Sequence, residues 1–129
     1  MPLHQLDHVN LPTSRLDEMI AWYEEVLGMV NGKRPPFPFP GAWLYVGDNP
    51  VVHLVGTDTE RQNIEPKIEH FALSATDLID FKTRVESKNI EVDWIRVPGF
   101  GILQANIFDP DGNHIHIDFS AEEADAAGM

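Results

Sequence analysis

The chain has 129 residues, 21 acidic against 9 basic, a formal net charge of −12 and no cysteine. That length suits one compact domain, and the missing cysteine excludes disulfides, thiolate metal ligands and a cysteine nucleophile. So acidic a surface repels phosphate backbones and anionic lipid, which argues against nucleic-acid and membrane partners.

No apolar run approaches the roughly 20 residues that a membrane helix needs. Met1-Pro2-Leu3-His4-Gln5 lacks the basic-then-apolar pattern of a signal peptide. A cytoplasmic location is the expectation.

In chain order, Gln5–Leu11 alternates as a half-buried strand. Thr13 or Ser14 can cap a helix by accepting a bond from an unpaired N–H of the first turn. Leu16, Met19, Ile20, Tyr23, Val26 and Leu27 then form one apolar helical face, and Gly28 suits a left-handed stop. Lys33–Ala42 holds Pro35-Pro36-Phe37-Pro38-Phe39-Pro40 and reads as an ordered loop, because proline neither continues a helix nor donates within a sheet. Trp43–Val46 and Val51–Val55 read as a hairpin around Gly47-Asp48-Asn49-Pro50.

Thr57–Pro66 is polar and reads as a linker, after which the order repeats. Ile68–Ser74 is a strand, and Thr76 or Asp77 can cap a helix with Leu78, Phe81 and Val85 buried and Ile79 at the flank. Glu91–Val97 and Ile102–Phe108 are strands. Val97-Pro98-Gly99-Phe100-Gly101 between them is a mobile rim loop or a structural turn. Asp109-Pro110-Asp111-Gly112-Asn113 is a tight turn that uses the conformational freedom of Gly112. His114–Phe119 closes the second half.

The scheme is therefore a single domain over 1–129. Module 1 covers 1–57, a linker 58–66, module 2 67–120, and an acidic tail expected to fray covers 121–129. Each module reads β-α-β-β-β, and pairing the two would cover sheet faces that one module leaves exposed.

The histidines follow the repeat. His8 in Leu6-Asp7-His8-Val9 and His70 in Ile68-Glu69-His70-Phe71 are 62 residues apart, and His53 and His116 are 63 apart. Strand alternation puts His114, His116 and Asp118 on one face and Ile115, Ile117 and Phe119 on the other. If the sheet curls into a cup, His8, His53, His70 and His116 can converge at its floor. Neutral imidazoles bind zinc, nickel, cobalt, copper and ferrous iron. The spacing does not fix whether three or four of them ligate. A lone strand histidine is more often hydrogen-bonded structure than ligand, and His4, which has no matched position, reads as a surface residue.

These segments, with the helix end Trp22-Tyr23-Glu24-Glu25-Val26-Leu27-Gly28-Met29, Val52-His53-Leu54 and the Asp109–Asn113 turn, resemble the vicinal oxygen chelate superfamily. That group holds glyoxalase I, bleomycin-resistance proteins, extradiol dioxygenases and fosfomycin-resistance enzymes. The resemblance spans nearly the whole chain. It implies an α+β fold of two paired βαβββ modules forming a cupped, partly closed mixed β-sheet with helices outside. It also implies one divalent metal ion (Zn, Ni, Co or Fe), ligands at His8, His53, His70 and His116, and a homodimer.

One departure matters. Glyoxalase-like members usually carry carboxylates at the second and fourth positions, the last acting as base, whereas this chain has His53 and His116 there. Four neutral ligands leave the cation's charge uncompensated and favour a small, anionic, chelating substrate. The leading expectation is a lyase or isomerase that moves a proton through an enolate. His116 is the first candidate base, if it can leave the metal, and metal-bound hydroxide the second. Asp118 or His114 could relay. An Fe(II) extradiol-type dioxygenase is the alternative, its ring substrate walled by Phe37, Phe39, Trp43 and Tyr45, although the missing carboxylate counts against it. A non-catalytic drug-binding protein of bleomycin-resistance type is the third.

Overall fold

The computed structural model describes residues 3–62 and 65–129. The chain divides into two compact units, Met1–Asn63 and Ile64–Met129. The linker expected over 58–66 includes residues 63 and 64, which lie outside the described residues.

The first unit contains β1 (Val9–Thr13), α1 (Leu16–Glu25), β2 (Val30–Gly32), β3 (Gly41–Val46) and β4 (Asn49–Gly56). Its sheet has the order β1-β4-β3-β2, with β1 parallel to β4 and the other pairs antiparallel. Ala42 pairs with Leu54 and Leu44 with Val52, so these four share one face, and all are buried. Helix α1 packs against β3 and β4, burying Met19 and Tyr23, with Val26 just beyond its end. Each large side chain removed from water in this way contributes about 1.5–3 kcal/mol.

Three local features differ from the sequence reading. Strand β1 starts later than expected and runs through Pro12 to Thr13. It is an edge strand, so the missing proline N–H costs no ladder bond on its open side. His8 therefore stands just before the first paired residue. Helix α1 has no side-chain cap; the Thr13 hydroxyl instead accepts from the Arg15 N–H at 3.0 Å and shapes the entry turn. Strand β2 is too short to show an alternation in sequence. It depends on Gly32, because a Cβ there would come within 2.8 Å of the Tyr45 ring.

The proline-rich stretch is an ordered loop, as expected. The Arg34 guanidinium donates to the Phe39 carbonyl at 3.0 Å and sits over the Phe37 and Phe39 rings. Gly28 takes φ +70° at the end of α1, the left-handed stop read from its position.

The second unit repeats the plan with β5 (His70–Ser74), α2 (Leu78–Ser87), β6 (Asp93–Arg96), β7 (Leu103–Phe108) and β8 (His114–Phe119). Its sheet order is β5-β8-β7-β6, with β5 parallel to β8. Leu103, Ala105, Ile107, Ile115, Ile117 and Phe119 form the buried face, and α2 buries Leu78, Phe81 and Val85. The paired βαβββ organisation is thus present as two four-stranded mixed sheets, one in each unit. In the turn before β8, buried Asp109 accepts from the N–H groups of Asp111 and Asn113 and from the Asn113 amide, at 2.8–3.0 Å. The segment between β6 and β7 is a closed turn, with Val97 N–H bonded to the Ile102 carbonyl and Gly101 N–H to that of Val97.

The acidic tail does not fray. It forms a third helix, α3 (Ala121–Ala126), whose N-terminal turn is capped by Ser120 accepting from Glu123 N–H. Ala124 is fully buried, and Arg96 pairs with Asp125 at 3.0 Å. The Glu123 carboxylate accepts from Leu78 N–H at 3.1 Å, filling the place expected for Thr76 or Asp77 at the start of α2. A negative group there also meets the positive end of the helix dipole.

Candidate metal centre

The four expected ligands fall as two pairs, one in each unit. In the first, Asn10 on β1 lies opposite His53 on β4, and the His8 ring stacks on His53 with centroids 3.8 Å apart. In the second, Ala72 on β5 lies opposite His116 on β8, and the His70 ring stacks on His116 at 4.0 Å. Asn10 and Ala72 follow their leading histidines by the same step, so the duplication reaches the strand register itself.

The leading histidine of each pair is held by the acid directly before it. His8 Nδ1 donates to Asp7 at 2.7 Å, and His70 Nδ1 donates to Glu69 at 2.7 Å. A carboxylate only accepts, so each bond fixes the proton on Nδ1 and leaves Nε2 with its lone pair. Metal-binding histidines are commonly oriented by such an outer carboxylate. The signal is visible in the sequence as Asp7-His8 and Glu69-His70, an acid directly before each leading histidine.

The second histidine of each pair is buried, His53 8 % and His116 9 % exposed. Burial is the main force holding the His53 imidazole below its ordinary range; His8 adds to it, while the Pro50 carbonyl and Asp7 oppose it. Burial likewise leads for His116, helped by His70 and His114 and opposed by Asp118 and Glu69. Both rings therefore favour the uncharged form that binds a cation or accepts a proton.

They differ in freedom. His53 Nε2 donates to the Pro50 carbonyl at 3.0 Å, leaving Nδ1 as its lone pair, and Trp43 stacks on its other face at 4.0 Å. Neither nitrogen of His116 has a hydrogen-bond partner among the described residues.

His114, expected as a relay, lies beside this pair. His70, His114 and His116 each offer a nitrogen within 4.8 Å of the others'. Glu69 bridges two of these rings, and bonds from His114 first and His70 second hold its carboxyl below the usual range. The Oδ1 atom of Asp118 is buried without a hydrogen-bond partner among the described residues.

Of the expected aromatic wall, Phe37 stacks with Phe39 at 5.0 Å and tilts toward Trp43 at 6.4 Å. Tyr45 is committed elsewhere, its hydroxyl donating to the Lys33 carbonyl at 2.6 Å.

The family model of the Glyoxalase/Bleomycin resistance protein/Dioxygenase superfamily matches residues 5–117. This chain belongs to that superfamily. Among curated relatives, it is 30 % identical over 126 residues to glyoxylase I 4 of Arabidopsis thaliana, covering 90 % of this chain and 72 % of the relative. Among solved structures, lactoylglutathione lyase from Agrobacterium tumefaciens superposes with a TM-score of 0.70 at 23 % identity, over 95 % of this chain and 98 % of the other. A fosfomycin resistance protein from Listeria monocytogenes also gives 0.70, at 11 % identity, over 94 % and 97 %. These structures share the superfamily fold; at such identity they carry no activity across.

Proposed function

We propose that this superfamily member is a metal-dependent enzyme of glyoxalase type, a lyase or isomerase. It would bind a small substrate through two neighbouring oxygens and move a proton on an adjacent carbon. We assign His8, His53, His70 and His116 to the cation. The observation that carries the assignment is the duplicated pair, in which a carboxylate-held imidazole with a free Nε2 stacks on a buried, uncharged one.

The donor set suits a borderline divalent ion such as zinc, nickel, cobalt or ferrous iron. The orphaned Asp118 oxygen adds a buried acceptor on the same face of β8 as His116. When bound, the ion supplies Lewis-acid stabilisation of the substrate oxygen on which negative charge develops.

This chain's own residues would do the rest. His116, buried and favouring the uncharged form, with neither nitrogen hydrogen-bonded among the described residues, would take the proton from carbon and return it once released from the cation, since its single lone pair cannot serve both. Asp7 and Glu69, by holding the proton on Nδ1, would leave Nε2 of His8 and His70 available to the ion. Four neutral imidazoles do not offset a divalent charge, so the matching substrate is anionic. We place the protein in the cytoplasm as a homodimer, which sedimentation would test.

Elemental analysis of protein purified without chelator or nickel resin, followed by isomerisation assays on hemithioacetals, tests the assignment. One specific observation favours a second reading. The run Phe39, Phe37, Trp43 and His53 places flat aromatic surface beside a proposed ligand, as a ring-cleaving dioxygenase would use. Bound iron with oxygen uptake on catechols would select it.

A further inference from the structure

We infer that Glu69 and His114 are positioning residues for His70, and that His114 is not itself a metal ligand. The consequence for metal affinity rests on the metal reading above; the geometry stands without it.

Glu69 Oε1 accepts from Nδ1 of His70 at 2.7 Å, and Oε2 accepts from Nδ1 of His114 at 2.8 Å. For His70 this leaves a free Nε2. For His114 it does not, because Nε2 lies 2.9 Å from Asn106 Oδ1. The Asn106 amide is held that way round, since its Nδ2 donates to the Asp93 carbonyl at 3.1 Å. Both nitrogens of His114 therefore face oxygen. Its ring sits within the three-histidine cluster, but each of its nitrogens is already faced by an oxygen, so a cation would have to displace Glu69 or Asn106 to reach it.

The chain of bonds Asp93, Asn106, His114, Glu69, His70 starts on β6, crosses β7 and β8 and ends on β5. It thus ties the leading histidine to every strand of the second unit's sheet. In the first unit, Asp7 accepts from His8 alone among the described residues. His70 is accordingly the more firmly oriented of the two leading histidines.

The test uses the full-length protein and two readouts. The first is the nitrogen-15 ring spectrum of metal-free protein at a pH well above the imidazole range. Wild type should show His70 protonated on Nδ1, and Glu69→Ala should shift it toward the Nε2-protonated form preferred in water. The second is titration with cobalt(II). Glu69→Ala should weaken binding about 10- to 100-fold, the range for loss of an outer carboxylate partner. His114→Ala should weaken it less and keep the wild-type stoichiometry, and Glu69→Gln, which can accept from only one ring, should fall between wild type and Glu69→Ala.

His114→Ala abolishing binding as completely as His70→Ala would make His114 a ligand and overturn the inference. So would a wild-type His70 protonated on Nε2, or a Glu69→Ala variant unchanged in both readouts. A wild-type protein that binds no metal would defeat the metal reading alone, and the ring spectra would still decide this inference.

Discussion

His70 stacks on His116 with planes 13° from parallel, and His8 stacks on His53 with planes 10° from parallel. Each contact puts two imidazoles face to face, an arrangement that tolerates neutral rings and resists a second positive charge. The second member of each pair is also buried, which is the larger cause of its lowered proton affinity, the neighbouring histidine adding to it; this gives the first expectation.

Stability of the metal-free protein should fall as the medium is acidified. His53 and His116 bind protons less readily folded than unfolded. Above the ordinary imidazole value of about 6.5 neither state is protonated there, and the fold keeps its full stability. Below it the unfolded chain takes up protons first, and stability is lost until pH passes through the lowered folded values. Urea denaturation at stepped pH should show this decline, and a His53→Gln, His116→Gln double variant should flatten it. An equally steep decline in the double variant would place the titrating groups elsewhere.

Replacing Trp43 with leucine should keep the fold and disturb the site. Trp43 and His53 are cross-strand partners stacked at 4.0 Å. Losing that contact frees one face of His53 and should raise its proton affinity by exposing it. A histidine titration followed by NMR would read the shift; an unchanged His53 curve would mean that the indole does not shield it.

Asp109→Ala should be among the more damaging single changes outside the two sheets. One buried carboxylate satisfies three donors in the turn that launches β8. Each buried donor left without a partner costs about 1–3 kcal/mol. Chemical denaturation should show a loss in or above that range, whereas a loss of only a few tenths would mean that water replaces the carboxylate at no cost.

Glu123→Ala should destabilise the second unit by about 1 kcal/mol, the usual worth of a helix cap. The Glu123 carboxylate bonds the first N–H of α2 from another helix. Amide exchange at Leu78 should accelerate in the variant, and protection unchanged from wild type would show that the bond does not persist in solution.

Much of this was legible in the sequence, for identifiable reasons. The 62- and 63-residue intervals located both histidine pairs, because a duplicated strand keeps its register. Alternation assigned the two faces of β8 correctly, since Ile115, Ile117 and Phe119 had to be buried. What stayed hidden was tertiary. Ser120-Ala121-Glu122-Glu123 carries a capping-box spacing, but acidic composition suggested fraying, and nothing local showed that Glu123 would reach Leu78. Nor could local pattern reveal that His114, opposite His70 across the parallel β5–β8 pair, shares its carboxylate. Strand β1 runs past Leu11 through Pro12 to Thr13, which its place at the sheet edge allows and which no alternation of local residues shows.

The proposed function rests on the leading histidines His8 and His70 each being needed to hold a divalent ion. Metal content by elemental analysis, on wild type and on His8→Ala and His70→Ala variants loaded identically, tests it most directly. One equivalent in wild type, with severe loss in both variants, is the expected result. Full retention in His8→Ala, with loss only in His70→Ala, would contradict it.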